Sequence, residues 1–132
     1  MRIVLDTNIY VGFARGKQEV VDLIATQDTE ILLPSIVVGE LFYGFLKGSR
    51  SQYNEQKFHQ FVAALEVSII RVDQEVARKY AIIYSALTLK GVRIPINDVW
   101  IAACCMNAGG TLLTRDGHFE HVDQIDKIIL PA

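Results

Sequence analysis

The stretch Arg2-Ile3-Val4-Leu5-Asp6-Thr7-Asn8 decides the fold, because it joins a short apolar run directly to a carboxylate. An uninterrupted run of aliphatic residues predicts a strand that is covered on both faces, as strands in parallel sheets are. Asp6 then lies at the carboxyl end of this strand, where open α/β sheets bind their ligands. The start of the chain therefore predicts an α/β sheet with a polar site at its edge.

Four further apolar runs predict the rest of the sheet. They lie at residues 30–33, 67–72, 111–114 and 127–130. Between them, apolar residues recur at helical spacing, most clearly within residues 58–65 and 76–87. Strands that alternate with helices predict a three-layer α/β/α fold with a five-stranded parallel sheet.

Local signals predict where several helices begin and end. Gly91 follows the helix within residues 76–87, and Gly109 follows the helix after Asn97, because glycine readily adopts the left-handed conformation of a C-cap. Ser35 is the expected N-cap of a helix over residues 36–47, since its hydroxyl can accept a hydrogen bond from a free backbone N–H.

Length and composition exclude several classes of protein. A chain of 132 residues predicts a single domain, residues 1–132, with a hydrophobic core. Its 51% hydrophobic and 21% charged residues exclude intrinsic disorder and a coiled coil. The 13 basic and 15 acidic residues do not form the positive field of a passive nucleic-acid binder, so any polyanion must be held locally.

No segment has the length and composition of a membrane span or a secretory signal. The longest apolar stretches, residues 36–46 and 99–106, are shorter than the roughly 18 to 20 residues that a span requires. Cys104 and Cys105 are adjacent in an apolar run and are expected to be small buried residues rather than a disulfide. We therefore expect a cytoplasmic protein with no membrane partner.

Four carboxylates stand where a site is expected. Asp6 and Asp116 follow two strands and so lie at one edge of the sheet, and Asp98 opens a helix. Glu40 interrupts an eleven-residue window that holds no other charge, with no Lys or Arg three or four residues away. Because an unpaired carboxylate in apolar surroundings costs several kcal/mol, Glu40 is expected to face a site.

Each aspartate also has a purely structural interpretation. Asp98, with Asn97, could cap its helix, and Asp6 and Asp116 could be turn residues. If the four carboxylates converge, however, their repulsion requires a cation. Oxygen ligands favour Mg²⁺ or Mn²⁺ over zinc, for which His118 and His121 alone are weak evidence.

A Mg²⁺ or Mn²⁺ carboxylate site suits cleavage of phosphodiester bonds. The chain has no glycine-rich phosphate loop and no G-x-S-x-G motif, which disfavours nucleotide hydrolysis and a serine nucleophile.

Four short motifs in order resemble the PIN-domain family. They are Leu5-Asp6-Thr7-Asn8, Val38-Gly39-Glu40-Leu41, INDVWIAA at residues 96–103, and Leu113-Thr114-Arg115-Asp116. The resemblance covers residues 1–130, and the length of the chain is similar to that of the VapC toxins of toxin–antitoxin pairs. It implies a metal-dependent endoribonuclease that acts on RNA, forms a homodimer and is inhibited by a cognate antitoxin protein.

The resemblance also implies roles for individual residues. The acidic, metal-binding catalytic set is Asp6, Glu40, Asp98 and Asp116, with Asn8 and Thr114 as polar neighbours. One departure concerns His118, which stands where many relatives place a further Asp. This departure predicts that a second metal ion is weakly held.

The leading hypothesis is therefore a Mg²⁺/Mn²⁺-dependent endoribonuclease that serves as the toxin of a toxin–antitoxin pair. The alternatives are a housekeeping RNA-processing PIN nuclease, a Mg²⁺-dependent phosphatase and an inert PIN scaffold. A phosphatase of that kind needs a second Asp two residues after Asp6, where this chain has Asn8. An inert scaffold is disfavoured because all four carboxylates are present.

Basic and aromatic residues are candidates for contacts with RNA and with partners. Arg115, beside Asp116, is the first candidate for a phosphate contact. Other basic residues in or near loops are Arg15, Lys17, Lys47, Arg50 and Arg93. The aromatic side chains of Tyr10, Phe42 and Tyr43 could stack on bases or bind an antitoxin, although core packing is the favoured interpretation. Partial exposure of Phe42, Tyr43, Phe45 and Tyr53 is expected, and it predicts a homodimer that also binds an antitoxin segment.

Overall fold

A five-stranded parallel sheet lies at the centre of the computed structural model, which describes residues 1–26 and 28–132. The strands are β1 (Arg2–Leu5), β2 (Glu30–Pro34), β3 (Ser68–Ile70), β4 (Thr111–Thr114) and β5 (Asp126–Ile129). Their order across the sheet is β3-β2-β1-β4-β5, and every neighbouring pair is parallel. The predicted fold class is confirmed, although β3 is three residues shorter than its apolar run and β5 begins one residue earlier.

Helices connect the strands within the described part of the chain. They are α1 (Thr7–Ala14), α2 (Gln18–Ile24), α3 (Ser35–Lys47), α4 (Ser51–Ala64), α5 (Gln74–Lys90) and α6 (Ile96–Ala108), with a 3₁₀ turn at Gly117–His121. Helices α1 and α2 were not predicted, because α1 is apolar along most of its length and α2 has only two core positions, so neither shows a clear helical period. The apolar residues Val20 and Ile24 of α2 are nevertheless buried in the core. None of the helices in residues 1–26 and 28–132 is both long and apolar enough to cross a membrane.

The glycine signals for helix ends are confirmed, whereas the Ser35 N-cap is wrong. Gly91 and Gly109 follow α5 and α6 with φ values of 71° and 67°. Pro34 is the N-cap of α3, since its fixed φ of −60° leads directly into the first turn, and Ser35 is already helical. The Ser35 hydroxyl instead donates to the carbonyl of Ile70 at the end of β3, over 3.1 Å.

The central strand β1 is covered on both faces. Val4 and Leu5 point to opposite faces of the sheet, and both are fully buried. Helix α6 packs against β2 and β4, and its small residues allow a close approach to the sheet. Cys104 and Cys105 are free and fully buried on this helix, as expected.

The order of the strands places a crevice between β1 and β4. From β1 the chain proceeds to β2 on one side, and it later returns to β4 on the other side. Such a reversal opens a crevice at the carboxyl ends of the two strands. Because Leu5 pairs with Leu113, the residues that follow, Asp6 and Thr114, lie side by side at this edge of the sheet.

Gly110 provides a test of this packing, because a Cβ there would lie 3.1 Å from a methyl of Val4 and 3.2 Å from the carbonyl oxygen of Arg2. We expect Gly110→Ala to lower the free energy of unfolding by about 1 to 3 kcal/mol in chemical denaturation. Gly44→Ala is the matched control, since a Cβ on Gly44 in α3 would meet no described atom within 4 Å. It should stabilise the protein by about 0.5 to 1 kcal/mol. Equal effects of the two variants would contradict this packing.

Candidate functional site

A cleft of about 480 Å³ at the carboxyl ends of β1 and β4 brings four carboxylates together. They are Asp6, Glu40, Asp98 and Asp116. Four different elements supply them, because Asp6 precedes α1, Glu40 lies on α3, Asp98 lies on α6 and Asp116 precedes the 3₁₀ turn. Residues that are distant in sequence thus share one concave surface.

Asp6 is almost completely buried at the base of this cleft, with 4% of its surface exposed. Its Oδ1 accepts a hydrogen bond from the Thr7 backbone N–H at 2.8 Å, and its Oδ2 accepts one from the Thr114 hydroxyl at 2.6 Å. Burial raises the pKa of Asp6, and the charges of Glu40 and Asp116 raise it further, against the lowering effect of the two hydrogen bonds. Asp6 is also the N-cap of α1 rather than the turn residue that the sequence suggested, and this structural role is compatible with its place in the cleft.

Thr114 and Asn8 connect the chain after β4 to the start of α1 through hydrogen bonds. The fully buried Thr114 hydroxyl donates to Asp6 and also accepts the backbone N–H of Asp116 at 2.9 Å. The side-chain oxygen of Asn8 accepts the backbone N–H of Arg115 at 3.2 Å. Both residues therefore position the carboxylates, as polar neighbours of the site should.

Asp98 does not cap its helix, so that structural interpretation is wrong. Helix α6 begins two residues earlier, at Ile96, with Pro95 as N-cap, and this places Asp98 within the first turn. Asp98 is 8% exposed, and burial raises its pKa to about 6, assisted by the charges of Asp6 and Asp116 and opposed by His118. Its charge is therefore costly in the absence of a cation.

Glu40 is partly buried and faces the cleft, as its isolation in an apolar window predicts. The Thr7 hydroxyl donates to Oε1 at 2.6 Å, and the Asn97 side-chain amide donates to Oε2 at 3.3 Å. Neutral donors, rather than a cationic side chain, therefore compensate for its burial. This role of Thr7 and Asn97 was not predicted from the sequence, although each directly neighbours a carboxylate of the set.

Asp116 and His118 form the outer part of the cleft. Asp116 Oδ1 accepts the backbone N–H of His118 at 2.9 Å, which confirms its interpretation as a turn residue. His118 Nδ1 lies 3.0 Å from Asp116 Oδ1 and 3.4 Å from Asp98 Oδ2. Asp98, Asp116 and His118 each offer a ligand atom within 4.8 Å of the others, in a group that does not include His121. This contact of His118 with two carboxylates was not predicted from the sequence.

Basic side chains line one side of the cleft. Arg15 and Lys17 contribute to its wall, together with Arg115. The Arg115 guanidinium pairs with Glu19 and donates to the carbonyl of Pro131, so it is held in place by protein groups. Its contact with RNA phosphate stays a prediction.

The other basic candidates lie elsewhere. Lys47 and Arg50 lie over the rings of Tyr43 and Tyr53, and Arg93 borders a different hollow.

Residues 3–125 match the family model described as PIN domain. The chain belongs to the PIN domain family. This PIN domain is 25% identical over 129 residues to Ribonuclease VapC4 of Mycobacterium tuberculosis, covering 98% of this chain and 97% of that protein. It is 33% identical over 121 residues to Ribonuclease VapC2 of Rickettsia felis, covering 88% and 87% respectively.

Solved structures share the fold of this PIN domain. It is similar to the crystal structure of VapBC2 from Rickettsia felis bound to a DNA fragment from their promoter, with a TM-score of 0.86 and 26% identity over 98% of this chain and 99% of that chain. The family resemblance inferred from the four motifs is confirmed.

The donor set of the cleft fits a divalent cation. Carboxylate oxygens predominate, and the hydrogen bonds that position Asp6 and Glu40 come from neutral groups, which leave the negative charge uncancelled. Among the described residues, the ion-pair partner of Asp98 and of Asp116 is His118. A bound dication would relieve the repulsion that contributes to the raised pKa values of Asp6 and Asp98.

The pKa of Asp98 leads to a prediction for stability in a chelator. Because the folded protein holds the Asp98 proton more tightly than the unfolded chain does, wild type loses stability as pH rises from about 4 through 6. In EDTA at pH 7 we expect Asp98→Asn to melt at a higher temperature than wild type, because its free energy of unfolding is larger by about 1 to 3 kcal/mol. This difference should shrink towards pH 4.

Metal should then remove most or all of the difference in stability between the two proteins. Wild type should gain about 2.7 kcal/mol at a hundredfold excess of metal over Kd, whereas Asp98→Asn should gain little. Glu120→Gln, which removes an exposed carboxylate outside the cleft, should behave as wild type. An Asp98→Asn variant that melts lower in EDTA and responds to metal as wild type does would show that Asp98 belongs to no shared metal site.

Proposed function

We propose that this PIN domain is a divalent-metal-dependent endoribonuclease and the toxin of a toxin–antitoxin pair. The observation that carries the proposal is the convergence of Asp6, Glu40, Asp98 and Asp116 in one cleft. Relatives that align over most of the chain are named ribonucleases, which identifies the scissile bond as an RNA phosphodiester. The reaction is the hydrolysis of that bond.

The four carboxylates would hold Mg²⁺ or Mn²⁺ together with the water that attacks the phosphate, Glu40 lying on the side of that water. When bound, the ion lowers the pKa of an attacking water and stabilises charge on the phosphate oxygens. Asp6, Asp98 and Asp116 surround the crevice between β1 and β4, where Thr114 fixes the relative position of Asp6 and Asp116. This network preorganises the ligands, so that little reorganisation is needed when the ion binds.

Glu40 is the candidate proton acceptor for the attacking water. It is less buried than Asp6 or Asp98, and Thr7 and Asn97 hold its two oxygens from opposite sides. A carboxylate with a fixed orientation at a cleft can orient water and accept its proton.

The substrate is single-stranded or looped RNA, whose phosphates are held at the side of the cleft. Arg15 and Lys17 lie on that wall, and their positive charge offsets the repulsion between the carboxylates and the RNA backbone. Local positive charge of this kind is consistent with a chain whose net charge is −2.

The protein partner is a cognate antitoxin. Solved relatives of similar fold are VapBC complexes, among them VapBC2 from Rickettsia felis. Tyr43, Leu46 and Tyr53 on α3 and α4 are 63%, 75% and 45% exposed, so core packing, the favoured interpretation of Tyr43, is wrong. This apolar area next to a hollow lined by Phe45 and Phe61 is suited to an apolar antitoxin segment.

Other aromatic residues of the first helices pack into the core. Tyr10 is 3% exposed and lies edge-on to the rings of Phe58 and Phe61, which confirms the favoured interpretation of this residue. Phe42 is partly buried against Phe58.

We further propose that the protein forms a homodimer and acts in the cytoplasm. Each subunit consists of a single domain, residues 1–132. A second exposed apolar surface on α5 and the start of α6 is available for self-association. It comprises Tyr84 and Ile96, which are exposed and line the same hollow.

Removal of one carboxylate at a time tests the nuclease. We expect Asp6→Asn, Glu40→Gln, Asp98→Asn and Asp116→Asn each to lower the rate of RNA cleavage by at least about 10²-fold, because each removes a metal ligand or the proton acceptor. The measurement is single-turnover cleavage of a labelled RNA with and without Mg²⁺ or Mn²⁺. Asp22→Asn, on the exposed face of α2, is the control that should retain full activity. Metal-independent cleavage, or full activity of all four variants, would refute the assignment.

Expression in cells tests the role as a toxin. Wild type should arrest growth, Asp116→Asn should not, and co-expression of the protein encoded by the adjacent gene should restore growth. Light scattering at tens of micromolar should report a dimer. A nuclease that is monomeric and leaves growth unchanged would instead be a housekeeping RNA-processing enzyme.

A further inference from the structure

His118 is placed against two carboxylates of the cleft. Its Nδ1 atom faces Asp116 Oδ1 at 3.0 Å and Asp98 Oδ2 at 3.4 Å, although its side chain is 52% exposed. An exposed imidazole gains no burial by turning towards the cleft, so its interaction with these groups determines its orientation. The contact joins a ring nitrogen to residues that are 20 and 2 positions away in the sequence.

The backbone brings His118 to this position. Asp116 caps the 3₁₀ turn by accepting the His118 N–H, and the next residue, Phe119, is fully buried in the core. An anchored neighbour and a capped turn together restrict where the imidazole can reach. The backbone of His118 is therefore anchored at the rim of the cleft, with the imidazole within reach of both carboxylates.

The distances between these atoms match those between adjacent ligands of one ion. In an octahedral site with ligands 2.0 to 2.1 Å from the ion, neighbouring ligand atoms are about 3 Å apart. The separations of 3.0 and 3.4 Å about Nδ1 are close to this value, and the three residues offer ligand atoms within 4.8 Å of one another.

We infer that His118 supplies a nitrogen ligand, through Nδ1, to a mixed Asp98–Asp116–His118 metal centre that prefers a first-row transition dication such as Mn²⁺ to Mg²⁺. This inference rests on the proposed metal-dependent function and names which ion the same cleft selects. Mg²⁺ strongly prefers oxygen ligands and gives up its water reluctantly, whereas imidazole nitrogen binds transition dications well. One nitrogen among the carboxylates therefore shifts the selectivity towards transition metals.

An alternative role for the same contact is a charge pair. A protonated His118 would neutralise Asp98 and Asp116 without touching a metal ion, and bound metal would then displace it. The two roles differ in one observable property, namely whether a histidine nitrogen is bonded to the ion.

Pulsed electron paramagnetic resonance of the Mn²⁺-loaded protein measures that property directly. The chain has three histidines, and among the described residues His118 is the one that forms a group of potential ligands with Asp98 and Asp116, so a directly coordinated histidine nitrogen identifies His118. We expect ¹⁴N modulation from a bound imidazole in wild type and in His121→Gln, and its loss in His118→Asp. Because His118 is exposed, the substitution should leave the fold intact, and circular dichroism checks this.

Metal selectivity provides a second measurement that does not depend on activity. Titration of the melting temperature with MnCl₂ and with MgCl₂ gives the ratio of the two dissociation constants for each variant. His118→Asp restores an oxygen ligand, and we expect it to lower the preference for Mn²⁺ over Mg²⁺ by roughly tenfold or more. His121→Gln should leave the ratio unchanged.

The outcomes separate this inference from the proposed function. If Mn²⁺ binds without a coordinated histidine nitrogen, or if the ratio is the same in wild type and His118→Asp, the inference is overturned while metal-dependent cleavage stands. If no dication binds to wild type, the inference is also overturned. Cleavage of RNA in the absence of metal would then show whether the protein is a metal-independent nuclease, which would overturn the proposed function as well. Loss of both the nitrogen signal and the Mn²⁺ preference in His118→Asp alone supports the inference.

Discussion

The hydrogen bond from the Thr114 hydroxyl to Asp6 is the contact on which the cleft depends. It joins the ends of β1 and β4 at the point where the direction of strand addition reverses, and the same hydroxyl accepts the backbone N–H of Asp116. One buried oxygen thus sets the separation of two carboxylates that are 110 positions apart in the chain. In this environment a hydroxyl that lost its partners would cost about 1 to 3 kcal/mol, so the network resists rearrangement.

Helix starts then determine where negative charge can accumulate. Asp6 caps α1, Asp98 lies in the first turn of α6 and Asp116 caps the 3₁₀ turn, so all three carboxylates lie near free backbone N–H groups. The partial positive charge of a helix N-terminus favours an anion there, typically by 0.3 to 1 kcal/mol. This contribution lowers the cost of gathering the charges but is too small to remove it, as the raised pKa values of Asp6 and Asp98 indicate. The remaining negative potential attracts a cation.

Much of this arrangement could be predicted from the sequence, because its causes are local. Apolar runs predict the strands, and a carboxylate that directly follows a strand lies at the edge of the sheet, as Asp6 does. What was missed depends on tertiary contacts. The Ser35 hydroxyl bonds a carbonyl of β3, and His118 reaches Asp98 across the cleft. Pro95 is the N-cap of α6, three residues before the expected cap at Asp98, and the Asn97-Asp98 signal did not indicate this earlier start.

The earlier start of α6 has consequences for the site. With α6 beginning at Ile96, the consecutive residues Asn97 and Asp98 serve the cleft in different ways. Asn97 donates to Glu40 on α3, and Asp98 faces His118 on the opposite side. Successive helical residues point about 100° apart, so one turn of one helix can support ligands on two other elements. If Asp98 were the N-cap, its side chain would turn back towards the N–H groups of its own helix, and neither contact would form. The start of α6 therefore couples the position of Glu40 to that of the outer ligands, which is why one short turn contributes two residues to the same cleft.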